Sequence, residues 1–162
     1  MRWETISTTD NHEIYRLNHR DKTLLTLTLH PFSNTARVEK EDQKRVFQIR
    51  KEGFRRNRTV LRNEYGIKMG ELGVEHKVHF IDLEKERFYY HIQHNPQPEL
   101  VIYKESIDKP ILVCGLDVKS GETSIHMEKE KMPASTSISL LMALCWYMFL
   151  PVTKEDTVRQ FV

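Results

Sequence analysis

Six basic side chains crowd one stretch of the chain: Arg50, Lys51, Arg55, Arg56, Arg58 and Arg62. Guanidinium forks match the oxygens of phosphates and carboxylates two at a time, and a lysine adds a compact charge, so the chemistry on offer is recognition of an anion. Between Lys44 and Lys68 nine Lys or Arg stand against two acids, Glu52 and Glu64, although the whole chain carries a formal charge of only +2. The rest of the chain is therefore net acidic, and the plain alternative is a solvated hairpin whose charges pair with that remainder. Gly53 to Arg58 reads as a loop, exposed and able to meet an anionic lipid head group or another phosphate-bearing ligand.

Other candidates for chemistry are weaker. Histidines recur as His76-x-x-His79 and His91-x-x-His94. A zinc ion needs several such nitrogens converging, and a spacing of three on a regular strand sends two partners to opposite faces. A site would need one histidine from each pair and an acid such as Asp82. The helical His-Glu pattern is also missing, so no metal site is expected. Cys114 (Val-Cys-Gly) and Cys145 (Leu-Cys-Trp) lie in apolar contexts, where free buried thiols are expected and a catalytic thiolate would lack water and positive charge. Gly66-Ile-Lys-Met-Gly70 has glycines without the strand-to-helix context of a phosphate loop. No nucleophile, base and orienting acid come together, which points to a chain that is not an enzyme and carries no cofactor. Phe88, Tyr89 and Tyr90 could stack bases, yet no recognition motif accompanies them, and nucleic acid is not the expected partner. The competing expectation is a protein-interaction or scaffold domain.

The elements that must position these residues are mostly strands. From Trp3 to Glu128 short apolar runs alternate with period two and are interrupted by Asn, Asp, Gly, Pro or charge clusters. Thr23, Leu25, Leu27 and Leu29 share one face, with Leu24, Thr26 and Thr28 on the other, and Pro31 closes the run. Phe47 and Ile49 oppose Val46, Gln48 and Arg50. Phe88, Tyr90 and Ile92 oppose Tyr89, His91 and Gln93, up to Asn95-Pro96. About 12 such runs occur, centred near Trp3, Ile14, Leu27, Val38, Phe47, Val60, Met69, Phe80, Tyr90, Val101, Val113 and Ile125. Turn chemistry marks Arg20-Asp21, Glu41-Asp42, Asn63 to Gly66, Glu84-Lys85, Asp108-Lys109 and Lys119 to Gly121.

Near residue 132 the pattern changes. Pro133-Ala134-Ser135-Thr136-Ser137 supplies cap candidates, and Ile138 to Leu150 is apolar on every side until Pro151, predicting a core helix over about 137–150 with a short tail at 152–162. A membrane span needs about 20 apolar residues, and this run of about 15 is too short for one. A helix apolar all round must be surrounded by protein, which a strand-rich chain achieves by curving its sheet into a barrel. Trp146, Tyr147 and Phe149 then fill that barrel, their polar atoms seeking backbone partners. The length of 162 residues suits one domain spanning 1–162, and Met1 to Asp10 has no apolar run after Arg2, so a secretory leader is not expected and a cytoplasmic home is.

A meander of about 12 strands followed by the apolar segment Ser137-Ile-Ser-Leu-Leu-Met-Ala-Leu-Cys-Trp-Tyr-Met-Phe-Leu150 resembles the tubby C-terminal superfamily, which includes the LURP-one-related proteins and the phospholipid scramblases. The resemblance covers the chain from about Trp3 to Pro151 and is one of architecture. It implies a closed antiparallel barrel around a central hydrophobic helix. It also implies a binding role without catalysis, since tubby domains bind phosphoinositides through basic residues on the barrel exterior, with peripheral attachment to a membrane. None of those exterior positions aligns residue by residue with this chain. Val46-Phe-Gln-Ile-Arg-Lys-Glu-Gly-Phe54 followed by Val60-Leu-Arg-Asn-Glu-Tyr-Gly66 is also similar to a small uncharacterised bacterial family, which brings no function with it.

Overall fold

The computed structural model describes residues 1–33, 35–41, 44–55, 58–94, 97–117, 122–127 and 135–160. Arg56, Asn95, Pro96, Pro133, Ala134 and, among the predicted turns, Asp42 and residues 119–121 lie outside them. The protein is mainly β, an antiparallel sheet with one C-terminal helix packed against it. The strands are β1 (Arg2–Thr8), β2 (Glu13–His19), β3 (Lys22–His30), β4 (Thr35–Lys40), β5 (Arg45–Glu52), β6 (Arg58–Asn63), β7 (Lys68–Glu75), β8 (Val78–Leu83), β9 (Glu86–His94), β10 (Pro98–Tyr103), β11 (Pro110–Asp117) and β12 (Glu122–Met127). Each pairs with its neighbours in sequence, and β1 also meets β12 where Arg2 lies opposite Ser124. Every alternating run read from the sequence, from Trp3 to Ile125, falls inside one of these strands.

Alternation sets the core. Leu25 and Leu27 of β3, Phe47 and Ile49 of β5, Ile81 and Leu83 of β8 and Phe88 of β9 are buried on one face, and the residues between them turn outward. The hairpins Arg20-Asp21 and Glu84-Lys85 place both turn residues at positive φ, the geometry that matches strand twist in two-residue loops. His76-Lys77 does the same, with φ of 50° and 66°, so His76 belongs to a turn and not to a strand. Asn63 organises the next connection by accepting hydrogen bonds at Oδ1 from the Tyr65 and Ile67 amides at 3.0 and 2.9 Å. A Cβ on Gly70 would lie 2.6 Å from the Asp82 carbonyl oxygen, so β7 can approach β8 this closely only with glycine there.

Helix α1 (Ser135–Gln160) differs from expectation at both ends. Ser135 to Ser137 form its first turn. At the other end Pro151 does not stop it, and the helix runs on through the predicted tail. Proline brings no N–H to bond the carbonyl four residues back. Two contacts hold the later turn in line: the Thr153 hydroxyl donates to the Leu150 carbonyl at 2.8 Å, and Lys154 Nζ binds both oxygens of Glu13 at 2.7 and 3.0 Å. No helix among the described residues is long and apolar enough to cross a membrane.

The helix touches β3 and β4 and also β10 and β11. By the shorter path through β1 and β12, β3 and β10 are five strand spacings apart, about 24 Å in a flat sheet, so the sheet must bend toward the helix for both to touch it. Leu140, Leu141, Leu144, Cys145 and Phe149 are buried in that concavity. Trp146 stacks on Trp3 of β1 at 5.2 Å between ring centroids and takes the edge of Tyr15 at 5.5 Å. The expected backbone partner for the Trp146 indole is not found: Nε1 of Trp3 and of Trp146 are both buried with no acceptor among the described residues. Leaving two buried donors unmet costs free energy, which the area buried by these large rings offsets.

Candidate functional site

Antiparallel hairpins place successive connections at alternate ends of the strands. The β3–β4, β5–β6 and β7–β8 connections therefore share one end with the start of β2, and α1 runs toward that end because Lys154 reaches Glu13 there. A cavity of about 630 Å³ opens at this end. Its apolar wall comes from Leu29 and Pro31 at the end of β3, Ile92 of β9, and Tyr147, Met148 and Leu150 of α1. Lys51, Thr59, His79, Tyr90, His91 and Lys154 bring polar atoms to the same space. Several have the inward parity of the core, continued to the mouth: Lys51 follows Phe47 and Ile49, Thr59 precedes Leu61, His79 precedes Ile81 and Leu83, and Tyr90 follows Phe88.

The same alternation divides the six basic residues. Lys51 and its cross-strand partner Thr59 face the cavity, whereas Arg50, Arg58 and Arg62 lie on the outer surface. There Arg62 grips Glu52 with Nε and Nη2 at 2.8 and 2.9 Å and donates from Nη1 to the Gly66 carbonyl. Arg50 Nε donates to the same carboxylate at 2.7 Å. Hydrogen bonds first from Arg62 and then from Arg50 hold the Glu52 carboxyl down to about 2. Arg58 lies 3.8 Å from Glu71, which also pairs with Lys68. Pairing thus occupies the outer three, Arg50 and Arg62 through Glu52 of the same basic segment and Arg58 through Glu71 of the acidic remainder. Lys51 and Arg55 form no ion pair among the described residues, and Arg56 lies outside them. Phe54, beside Arg55, is fully exposed, and Phe32 on the neighbouring β3–β4 loop is 84% exposed.

Below the mouth sits a charged group that sequence reading missed. Glu13 is 7% exposed, receives the Tyr15 hydroxyl at 2.5 Å and is bound by Lys154. Burial alone would raise its carboxyl, but the hydrogen bonds from Lys154 and Tyr15 outweigh burial and leave it below its ordinary value. Burial, and then the bond to Glu13, pushes the Tyr15 phenol up. Glu13 carried a signal, being in phase with Tyr15 and Leu17 on the buried face of β2. Lys154 carried none, because it follows a proline that sequence rules treat as a helix stop.

The four candidate zinc histidines do not converge. His76 is in a turn, His79 faces the cavity against the Tyr90 ring at 4.9 Å, and His91 and His94 are exposed on β9. Among the described residues no group of three or more possible ligands is assembled. Cys114 and Cys145 are free and buried, and the Cys145 thiol is pushed well above its ordinary range by burial and then by the neighbouring Cys114. Comparison of the chain with family models, with curated proteins and with solved structures found no match.

Proposed function

We propose that this chain is a non-enzymatic binding module that takes an anionic lipid head group, or another phosphate-bearing ligand, at its cavity-bearing end. Lys51 and Arg55 are the contacts. The observation that carries the reading is the partition of the basic cluster: Arg50 and Arg62 are held by Glu52 and Arg58 lies beside Glu71, while Lys51 lines an open cavity without an ion pair among the described residues. Exposed Phe32 and Phe54 beside these cations suit the boundary of a bilayer, where basic and aromatic side chains act together. A cytoplasmic protein held peripherally at an anionic membrane fits that surface. The architecture belongs to the same proposal: a closed barrel around α1 of the tubby-like kind, supported by the β1–β12 pairing and by a helix that reaches strands far apart in the order.

Sedimentation with phosphatidylserine-containing vesicles tests the proposal. The chain should be retained, less so at higher salt, and Lys51→Glu with Arg55→Glu should release it, each lost basic residue being worth about 1 kcal/mol at such a surface. Arg50→Gln with Arg58→Gln, which removes charges already matched by Glu52 and Glu71, should weaken retention much less. Equal retention in the Lys51 and Arg55 variant overturns the reading.

A second reading, a protein-interaction domain, is favoured by an aromatic strip on the outer face. Phe80, Tyr89 and Tyr103 lie side by side across β8, β9 and β10, with Tyr89 and Tyr103 stacked at 5.8 Å. A stoichiometric protein partner lost on Tyr89→Glu, with no vesicle retention, would select it.

A further inference from the structure

We infer that the cavity holds the apolar chain of a single-chain anionic amphiphile, with its acidic head at Lys51 and its tail directed inward between α1, β3 and β9. This rests on the anion-binding reading and adds the class of ligand. A site for a head group alone requires only a shallow polar surface. Here the cation lines a cavity of about 630 Å³, within the usual range for small-molecule sites. Beside Lys51 and Thr59 the lining combines carbon from Leu29, Ile92, Met148 and Leu150 with the polar edges of His79, Tyr90 and His91. The second lysine in the wall, Lys154, is already matched by Glu13 at 2.7 Å, so among the described residues Lys51 is the lysine of the wall left for an acidic head. The lining thus offers what both halves of an amphiphile need, a charge from Lys51 and an apolar wall.

Isothermal titration of the full chain with octyl, decyl and dodecyl phosphate, below their micellar concentrations, tests this against inorganic phosphate. Affinity should rise by up to about fourfold per added methylene, and inorganic phosphate should bind far more weakly than dodecyl phosphate. Lys51→Glu should weaken dodecyl phosphate by at least tenfold. Ile92→Trp, which fills the trough from β9, should flatten the chain-length series, and the wild-type series decides the matter even if that variant fails to fold. Dodecanoate and a lysophosphatidic acid with the same chain tell a carboxylate source from a phosphate one, and preference for either upholds the inference. Affinity independent of chain length, with inorganic phosphate as good, overturns the inference and leaves the anion site standing. Chain-dependent binding that dodecanol shares and Lys51→Glu does not change overturns the anion site. No binding of any compound overturns both.

Discussion

Glu13 and Lys154 show how much one side-chain pair does in this protein. The carboxylate is buried and the ammonium is 53% exposed, so the two halves respond differently to removal. Lys154→Ala leaves a buried charge without its cation and should cost about 2 kcal/mol, while Glu13→Gln frees a lysine that water can solvate and should cost about 1 kcal/mol or less. Urea midpoints measure both. The same pair sets a pH dependence. Because the folded-state carboxyl lies below its ordinary value of 4.5, its stabilisation is fully present above that value and is lost as the pH falls through the lower folded one. Glu52 adds to the loss between 4.5 and about 2. The wild-type urea midpoint should therefore drop between pH 5 and pH 3, and Glu13→Gln should show a shallower drop from a lower start. An equal drop in both would remove Glu13 from the cause.

At the scale of the element, α1 joins two different environments. Its first half packs against the sheet, and Leu144 is fully buried there. Leu144→Asp places an uncompensated charge in that core and should abolish folding, read as loss of the cooperative thermal transition. The half after Pro151 is tied down by Thr153 and Lys154 rather than by burial. Pro151 is exposed, so Pro151→Ala restores a backbone donor without opening a cavity and should raise stability by about 1–3 kcal/mol in urea denaturation. A fall in stability would mean that the contacts of the proline ring at the cavity wall outweigh the missing donor. The strands were legible as elements because their period is local. The continuation of α1 was not, since the contact that overrides the proline comes from β2.

For the whole molecule, the two thiols report on how tightly the sheet is curled around the helix. Cys114 lies on β11 and Cys145 on α1, both at zero exposure, and burial disfavours the thiolate that reagents attack. In native buffer both should react with an aromatic disulfide reagent together, at a rate that follows global unfolding as urea is raised. Fast reaction of either thiol in the folded protein would show that the sheet opens beside the helix. Among the candidate site residues, the basic cluster could be read from its charges, but its division could not. The split into outward Arg50, Arg58 and Arg62 and inward Lys51 follows from which face of β5 and β6 meets the core.

The amino-acid sequence by itself determined the strands, the apolar helix and the concentration of positive charge, because each depends on side chains a few positions apart. Alternation at Leu25 and Leu27 or at Phe47 and Ile49 needs no distant partner to be recognised. Only the tertiary structure decided which charges are matched and where a ligand could enter. Arg62 meets Glu52 from 10 positions away, and Lys154 meets Glu13 from 141. Electrostatic pairing acts through distance in space, and that distance is set only when the strands are in register and the helix is in place.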